Sequence, residues 1–450
     1  MPLPTQLPRF RTLRNVPKML KSPIPVFNEY FRENGDNFIL SVGGSRRTHM
    51  TIDPDVFQHV LQKNHRNYEK SEIQTVQVAK YFGFGLLTNS GKDWLTQRRL
   101  IQPGFNRGRL ERLTEEMRDV IRRQCDDLAM QGRGGAPVNL FDFTRMTVFR
   151  IIVRAIFTDG FSAEESARLH EIIERVQAYI IYPVRAPFLR GPLRWSGLEK
   201  KHLDLAAEVR RNIQRKIDQR RAGPPKDDLL QMLLDARYED TGEPMTDERL
   251  IDEILILFAA GHETSANSLA WTIWLLLRHP AQLRKVKTEL ASATADGPID
   301  FRGVRRLPYL TQVIDESLRL YPPAWLTDRI ALNDDSAGGI DITAGTTMGL
   351  FIYGVHRHPD HWEAPNEFRP ERMTPEAKKA RHPMAYLPFG GGPRLCIGNH
   401  FAMLEMQLLL AEVFSRFDLE LLDPDAPVEG KPQITLHMDR PVLVRVHNLQ

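Results

Sequence analysis

Cys396 sits in the run Phe389-Gly390-Gly391-Gly392-Pro393-Arg394-Leu395-Cys396-Ile397-Gly398, where a structural role is hard to assign. The one other cysteine, Cys125, lies far upstream in a polar helical stretch, so no disulfide framework is indicated. A zinc site would gather several thiolate or imidazole ligands, and no Cys-x-x-Cys pair occurs. Three glycines let the backbone curl its amides toward the sulfur, through torsions that a side chain would forbid. Those amides, Arg394 two residues upstream and the N-terminus of a helix over His400 to Phe414 all favour thiolate over thiol. The plain alternative is a buried cysteine after a flexible loop.

Two further groupings carry chemistry. Ala260-Gly261-His262-Glu263-Thr264 sets a carboxylate beside a hydroxyl, a pair suited to passing protons, next to two residues small enough to leave space. Gly261 and Thr264 are expected to loosen the helix there into a kink or widened turn. The competing interpretation has Thr264 bonding back to Ala260 and Glu263 pairing with a surface cation. Glu316-Ser317-Leu318-Arg319 places opposite charges at i and i+3 on one helix face. Exposed, such a pair is worth a few tenths of a kcal/mol.

The elements that must position these groups are mostly helical. From Thr246 to Arg278 nothing interrupts the helical pattern until Pro280, and Asp247 and Glu248 fill its first turn. Such a helix is roughly 45–50 Å long. Its run Ile254 to Ala260 is apolar on all sides, as in a helix buried all round, while His262, Glu263 and Thr264 exclude a membrane span. Further helices are expected over Asp55–Gln62, Asp93–Ile101, Leu113–Gln131, Asp142–Phe157, Ala163–Ile181, Leu203–Arg221 and Tyr309–Tyr321. Phe38 to Gly44 with His49 to Ile52 suggests a hairpin around Gly43-Gly44, and Thr346–Tyr353 and Ile434–Val446 alternate like strands. No linker or repeat divides the 450 residues, so one domain, 1–450, is expected. Pro2, Pro4, Pro8 and Pro17 with interspersed arginines leave neither signal peptide nor anchor in the first 21 residues. Two cysteines suit a reducing compartment, the cytoplasm, and a formal charge of +4 without basic-aromatic runs argues against nucleic acid.

The cysteine run resembles the haem-binding signature of the cytochrome P-450 superfamily, matched at Phe389, Gly392, Arg394, Cys396 and Gly398. The resemblance implies haem b with the Cys396 thiolate on its iron. It extends to Ala260–Thr264, similar to the segment over the distal haem face, with Glu263 and Thr264 as the catalytic proton relay. It extends also to Phe368-Arg369-Pro370-Glu371-Arg372, whose final arginine is expected to join Glu316 and Arg319 in a buried structural triad. Trp94 and Arg98, in a Trp-x-x-x-Arg helix, together with Arg329, His356 and Arg394, are the implied partners of the haem propionates. The fold implied is mainly α with a small β region, the single-domain prism with haem between the long helix and the cysteine helix.

The activity implied is hydroxylation with dioxygen, two electrons and two protons. Only about fifty residues follow Cys396, so electrons are expected from a separate ferredoxin or flavodoxin with its NAD(P)H-dependent reductase, acting on a monomer. Arg99, Arg107, Arg109 and Arg112 are the candidate docking face, or else an ordinary solvated helix face. Tyr81, Phe82, Phe84, Leu86, Leu87, Leu257, Ala260, Ala324, Trp325 and Leu326 are the candidate pocket, fitting an apolar substrate such as a fatty acid or a terpenoid or steroid-like lipid. Each is equally eligible as core. A peroxide-driven peroxygenase would have no need of Glu263-Thr264, and a haem-thiolate sensor would have no need of a proton relay.

Overall fold

The long helix begins where its sequence says it should. The Thr246 hydroxyl accepts the Arg249 amide at 3.3 Å, and the helix runs Asp247–Arg278 to a stop before Pro280. In this computed structural model, which describes residues 4–41, 47–158, 160–295 and 297–449, the chain forms two compact units. Mainly helical structure with small sheets is what the sequence led us to expect.

The larger unit comprises Gln74–Ile314, Ile397–Glu429 and Met438–Gln450. Its centre is the long helix, 22 of whose 32 residues are buried. It packs on helix Leu140–Ile156, closely enough that a Cβ on Gly261 would lie 2.5 Å from Ile152 Cδ1. Around them lie helices Arg107–Gln131, Ala163–Arg185, Leu198–Ala222, Pro280–Ala293 and Asn399–Arg416. Ser162 and Glu165 form a capping box at the start of Ala163–Arg185. The strands Phe417–Leu421, Leu443–Asn448 and Val138–Asn139 make an antiparallel sheet, with Leu419 opposite Val446.

The smaller unit comprises Met1–Ile73, Asp315–Cys396 and Gly430–His437. Its sheet has six strands in the order Thr5–Gln6, Asn37–Ser41, Arg47–Thr51, Thr347–Leu350, Thr327–Ala331, Tyr68–Glu69. Phe27, Phe31 and Phe351 anchor the core on this sheet, with Phe31 stacked on Phe351 at 5.7 Å. The register sets Arg329 opposite Met348, and Arg329 is buried between two partly exposed neighbours on its strand.

Some expectations change. The strands of the predicted hairpin pair antiparallel, Phe38 with Met50, while Gly43-Gly44 lies outside the described residues. The widened turn expected at Gly261 is absent: Asp247–Arg278 is α-helical throughout, and the Thr264 hydroxyl donates to the Ala260 carbonyl at 2.8 Å. The N-terminal stretch, to which the sequence reading assigned no element, forms helix Arg9–Lys21, with Pro8 at its cap and Pro17 inside. Among the described residues no helix is long and apolar enough to cross a membrane.

Candidate active site

In the smaller unit, the cysteine loop is built by glycine torsions and a few backbone bonds. Gly390 and Gly392 have φ of 77° and 66°, in the left-handed region. A Cβ on Gly392 would be driven into the Leu61 carbonyl oxygen, so the position excludes any side chain twice over. The Cys396 amide donates to the Phe389 carbonyl at 2.9 Å, and the Leu395 amide to that of Gly392 at 3.1 Å, closing the loop. The cysteine is left exposed at the loop's surface, whereas Cys125 is buried and its thiol is pushed up by that burial. Gly398, by contrast, has φ of −92° and room for a Cβ, so the backbone alone does not demand glycine there.

Arg329 and Arg394 are brought together in this unit. The Arg329 guanidinium is pushed down to about 10, chiefly by burial and next by the charge of Arg394. It donates to the Asp328 carbonyl at 2.6 Å and to Thr327 Oγ1 at 3.3 Å, and forms no ion pair among the described residues. Burial also lowers Arg394, with Glu69 opposing. Two desolvated cations side by side are costly unless an anion joins them.

The triad forms, and it reaches further than expected. Glu316 and Arg319 are fully buried and bidentate: Nε to Oε2 at 2.8 Å, Nη2 to Oε1 at 2.7 Å. Arg372 Nε stands 3.4 Å from Glu316 Oε1, and the Arg369 amide donates to that oxygen at 3.0 Å. Arg319 also donates to the carbonyls of His356, Pro365 and Glu367 and lies 4.7 Å over the Trp362 ring. His356 belongs to this scaffold rather than to a propionate. It is fully buried, pushed down to about 3 by that burial, and accepts the Leu387 amide on Nε2 at 2.9 Å. A neutral imidazole so engaged offers no cation. Trp325 is likewise core: its indole N–H donates to the Gln433 carbonyl at 3.0 Å, and Leu326 packs on the same apolar cluster.

In the larger unit, the long helix is buried nearly all round except on one stripe. Leu257, Ala260, Gly261 and Thr264, at i, i+3, i+4 and i+7, are the partly or fully exposed positions of its central turns. Thr264 Oγ1 donates to the Ala260 carbonyl at 2.8 Å, as the competing interpretation held, which leaves the oxygen's lone pairs to accept from another donor. Glu263 is buried beside the stripe. Tyr81 and Phe82 are buried, with Tyr81 edge-on to Tyr179, whereas Phe84 and Leu87 are exposed. Trp94 is buried and Arg98 half-buried on helix Gly91–Ile101.

Residues 83–89 are held by a device that the sequence reading missed. Asp252 accepts the Phe84 amide at 2.7 Å and Arg210 Nη1 at 2.5 Å; Glu253 accepts the Leu86 amide at 3.1 Å; Arg249 donates to the Phe84 carbonyl at 3.2 Å. Two adjacent acids inside an apolar helical run were the available signal. The proposed docking arginines are largely committed within this unit. Arg109 and Arg112 share Asp227, Arg99 lies 3.8 Å from Glu239, and Arg107 lies over Phe301.

These donors fit haem. The exposed Cys396 sulfur suits a soft metal centre, and buried Arg329 beside partly buried Arg394 suits propionates. No cluster of three or more His, Cys, Asp or Glu side chains that could hold a metal ion occurs among the described residues.

Comparison with known proteins agrees. The sequence profile described as Cytochrome P450 matches residues 1–443. Cyclooctatin synthase of Streptomyces melanosporofaciens is 29% identical over 87% of this chain and 85% of its own. Pentalenene oxygenase of Streptomyces avermitilis is 28% identical over 95% and 94%. The crystal structure of a mutant cytochrome P450DA heme domain superposes with a TM-score of 0.89 at 25% identity, covering 100% of this chain and 98% of that one.

Proposed function

Because the chain belongs to the cytochrome P450 family, and is therefore a haem-thiolate monooxygenase, we propose that Cys396 is its thiolate ligand and that it hydroxylates an apolar lipid. Haem b, when bound, supplies dioxygen activation and hydroxyl insertion at a C–H bond. In this proposal residues 1–450 act as one catalytic domain, cytoplasmic and monomeric, fed by a ferredoxin or flavodoxin and its reductase.

The observation that carries the ligand assignment is the contrast between the two cysteines. One is buried with its thiol pushed up; the other is exposed and follows a loop whose Gly392 torsion and packing only glycine permits. Arg329 and Arg394 hold the propionates in this reading, with Trp94 and Arg98 as further candidates. Phe389, Gly392 and Gly398 shape the loop, and the Glu316, Arg319 and Arg372 triad keeps its approach rigid. Thr264 accepts a hydrogen bond at its hydroxyl and passes a proton onward, replenished from Glu263. Phe84, Leu87, Leu257 and Ala260 present the apolar surface to substrate. A fatty acid or terpenoid-like lipid matches their chemistry, and two relatives are named for cyclooctatin and pentalenene.

Cys396→Ser tests the assignment. The wild type should give the red-shifted carbon-monoxide Soret band of thiolate-ligated haem, and the variant should lose it. An unchanged band in the variant refutes the ligand. Soret titrations with fatty acids and terpenoids then identify the substrate class, and no shift with either class refutes the lipid proposal.

A further inference from the structure

In the smaller unit, helix Pro54–Gln58 does not simply continue: His59–Lys63 widens into a π-turn. Its i to i+5 bond runs from the Asn64 amide to the His59 carbonyl at 2.8 Å. Turns of this kind are rare, short and concentrated at functional sites, so this one calls for a reason. One carboxylate holds it open. Asp335 Oδ2 accepts from His59 Nε2 at 2.8 Å and from Asn64 Nδ2 at 2.9 Å, one bond at each end of the turn. The same oxygen accepts the Tyr68 hydroxyl at 2.7 Å, and Oδ1 accepts the Ser336 amide at 2.8 Å. Burial opposes the charge, yet the bonds from Tyr68, His59, the Ser336 amide and Asn64 hold this carboxyl well below the usual range. Asp335 itself is fixed, because it opens the short hairpin Asp335–Ala337 with Ile340–Ile342. That hairpin sits on helix Pro54–Gln58, where a Cβ on Gly338 would lie 2.7 Å from Val56 Cγ2.

The middle of the turn bears on the cysteine loop. The Leu61–Gln62 peptide faces Gly392 so closely that a Cβ there would collide with the Leu61 carbonyl and lie 3.3 Å from Gln62 Cα. The Leu61 side chain lies beside Gly391. Gly392 in turn accepts the Leu395 amide at 3.1 Å, immediately before Cys396. Relaxing the π-turn to α geometry would re-phase it by one residue, about 100° around the axis and about 1.5 Å along it. The Leu61 carbonyl would then leave Gly392.

Resting on the assignment of Cys396 as thiolate ligand, we propose that Asp335 is a positioning residue for that thiolate. By stapling both ends of the π-turn, it presses the Leu61–Gln62 peptide against Gly392 and so fixes the loop that presents the sulfur. Its influence runs through His59 and Asn64 to the turn, through the turn to Gly392, and through the Leu395 bond to Cys396. Residues that orient a metal ligand from behind in this way tune the ligand as well as hold it.

Asp335→Ala removes all four bonds, Asp335→Asn keeps an acceptor without the charge, and Asn64→Ala cuts one end of the staple alone. Phe31→Leu loosens the stacked core of the same unit away from the turn and is the control for lost stability. Each holoenzyme is compared with wild type for melting point and for the share of its reduced carbon-monoxide complex that shows the thiolate band. Resonance Raman of the ferric protein gives the iron–sulfur stretch. Asp335→Ala should lose roughly half or more of the thiolate band, with a lower and broader stretch in what remains. Asp335→Asn should recover part of that loss, and Asn64→Ala should show the same change in smaller measure. Phe31→Leu should melt lower yet keep the band and the stretch of wild type. Should Asp335→Ala fail to hold haem, the two milder variants decide. A band and stretch unchanged in the Asp335 and Asn64 variants, or altered equally in Phe31→Leu, overturn the proposal and leave the ligand assignment standing. A wild type without the thiolate band overturns both.

Discussion

Replacing Arg319 with alanine should destabilise the smaller unit more than any other single truncation of a charged residue. The side chain is fully buried and makes five hydrogen bonds: two to Glu316, and one each to the carbonyls of His356, Pro365 and Glu367. After truncation, Glu316 keeps the Arg369 amide at 3.0 Å and Arg372 Nε at 3.4 Å, which is too little to replace a bidentate partner in a site with no exposure. Breaking one side of a buried pair costs about 3–5 kcal/mol, and orphaned carbonyls add to this where water cannot reach them. For a chain of this length that corresponds to a melting point lower by about 3–5 °C or more. Three of the carbonyls and the Arg369 amide belong to the stretch that leads into the cysteine loop, so bound haem per protein should fall too. Arg319→Lys keeps a charge but loses the planar fork, and should recover only part of the loss. Glu316→Ala combined with Arg319→Ala removes both charges and should be milder than Arg319→Ala alone. Thermal unfolding by circular dichroism, with haem content by absorbance, decides the matter. An Arg319→Ala protein that melts within a degree of wild type with full haem would falsify the account of the triad.

Gly392→Ala meets both a positive φ of 66° and the Leu61 carbonyl, so the loop must shift; haem content should collapse, and retention of wild-type haem would refute the steric argument. Arg329→Gln should weaken haem binding about ten- to hundredfold, by loss of a charge-assisted hydrogen bond, yet raise the melting point of the haem-free protein by removing a buried cation. Effects of the same sign in both states would contradict the propionate role. Burial pushes the Glu405 carboxyl up to about 8, with Ser265 opposing. Between about pH 4 and that value, the unfolded chain has lost a proton that the folded protein keeps. Stability therefore falls as pH rises across this window and levels off above it, by on the order of 5 kcal/mol in total. Glu405→Gln should match wild type near pH 4 and exceed it at pH 8 in urea unfolding; an equal gap at both pH values would show that Glu405 is not a buried acid.

What was legible in the sequence was chemistry carried by neighbours along the chain. The cysteine loop packs its glycines, arginine and sulfur into ten residues, and Glu316 with Arg319 needs only helical spacing. What was illegible was chemistry whose other half is backbone. Arg319 spends three of its bonds on carbonyls, and Asp252 and Glu253 spend theirs on the amides of Phe84 and Leu86. A carbonyl or an amide has no identity in a sequence, so its partners look like stray charges. His356 was misjudged for a related reason: an imidazole's charge is set by burial, and full burial makes it neutral. Helix Arg9–Lys21 was not assigned from sequence, and it holds Pro17 in its interior, where proline is costly but tolerated.

The same reasoning turns the failures into a search rule. Buried polar side chains that the sequence cannot explain fall into two groups once the fold is known: those satisfied by backbone, which are scaffold, and those that remain unsatisfied, which are candidates for function. Asp252 belongs to the first group, with an amide and a guanidinium on its oxygens. His170 belongs to the second, with two ring nitrogens bonded to nothing and Glu174 Oε1 3.6 Å away. Natural cores rarely leave a buried donor or acceptor unsatisfied without compensation.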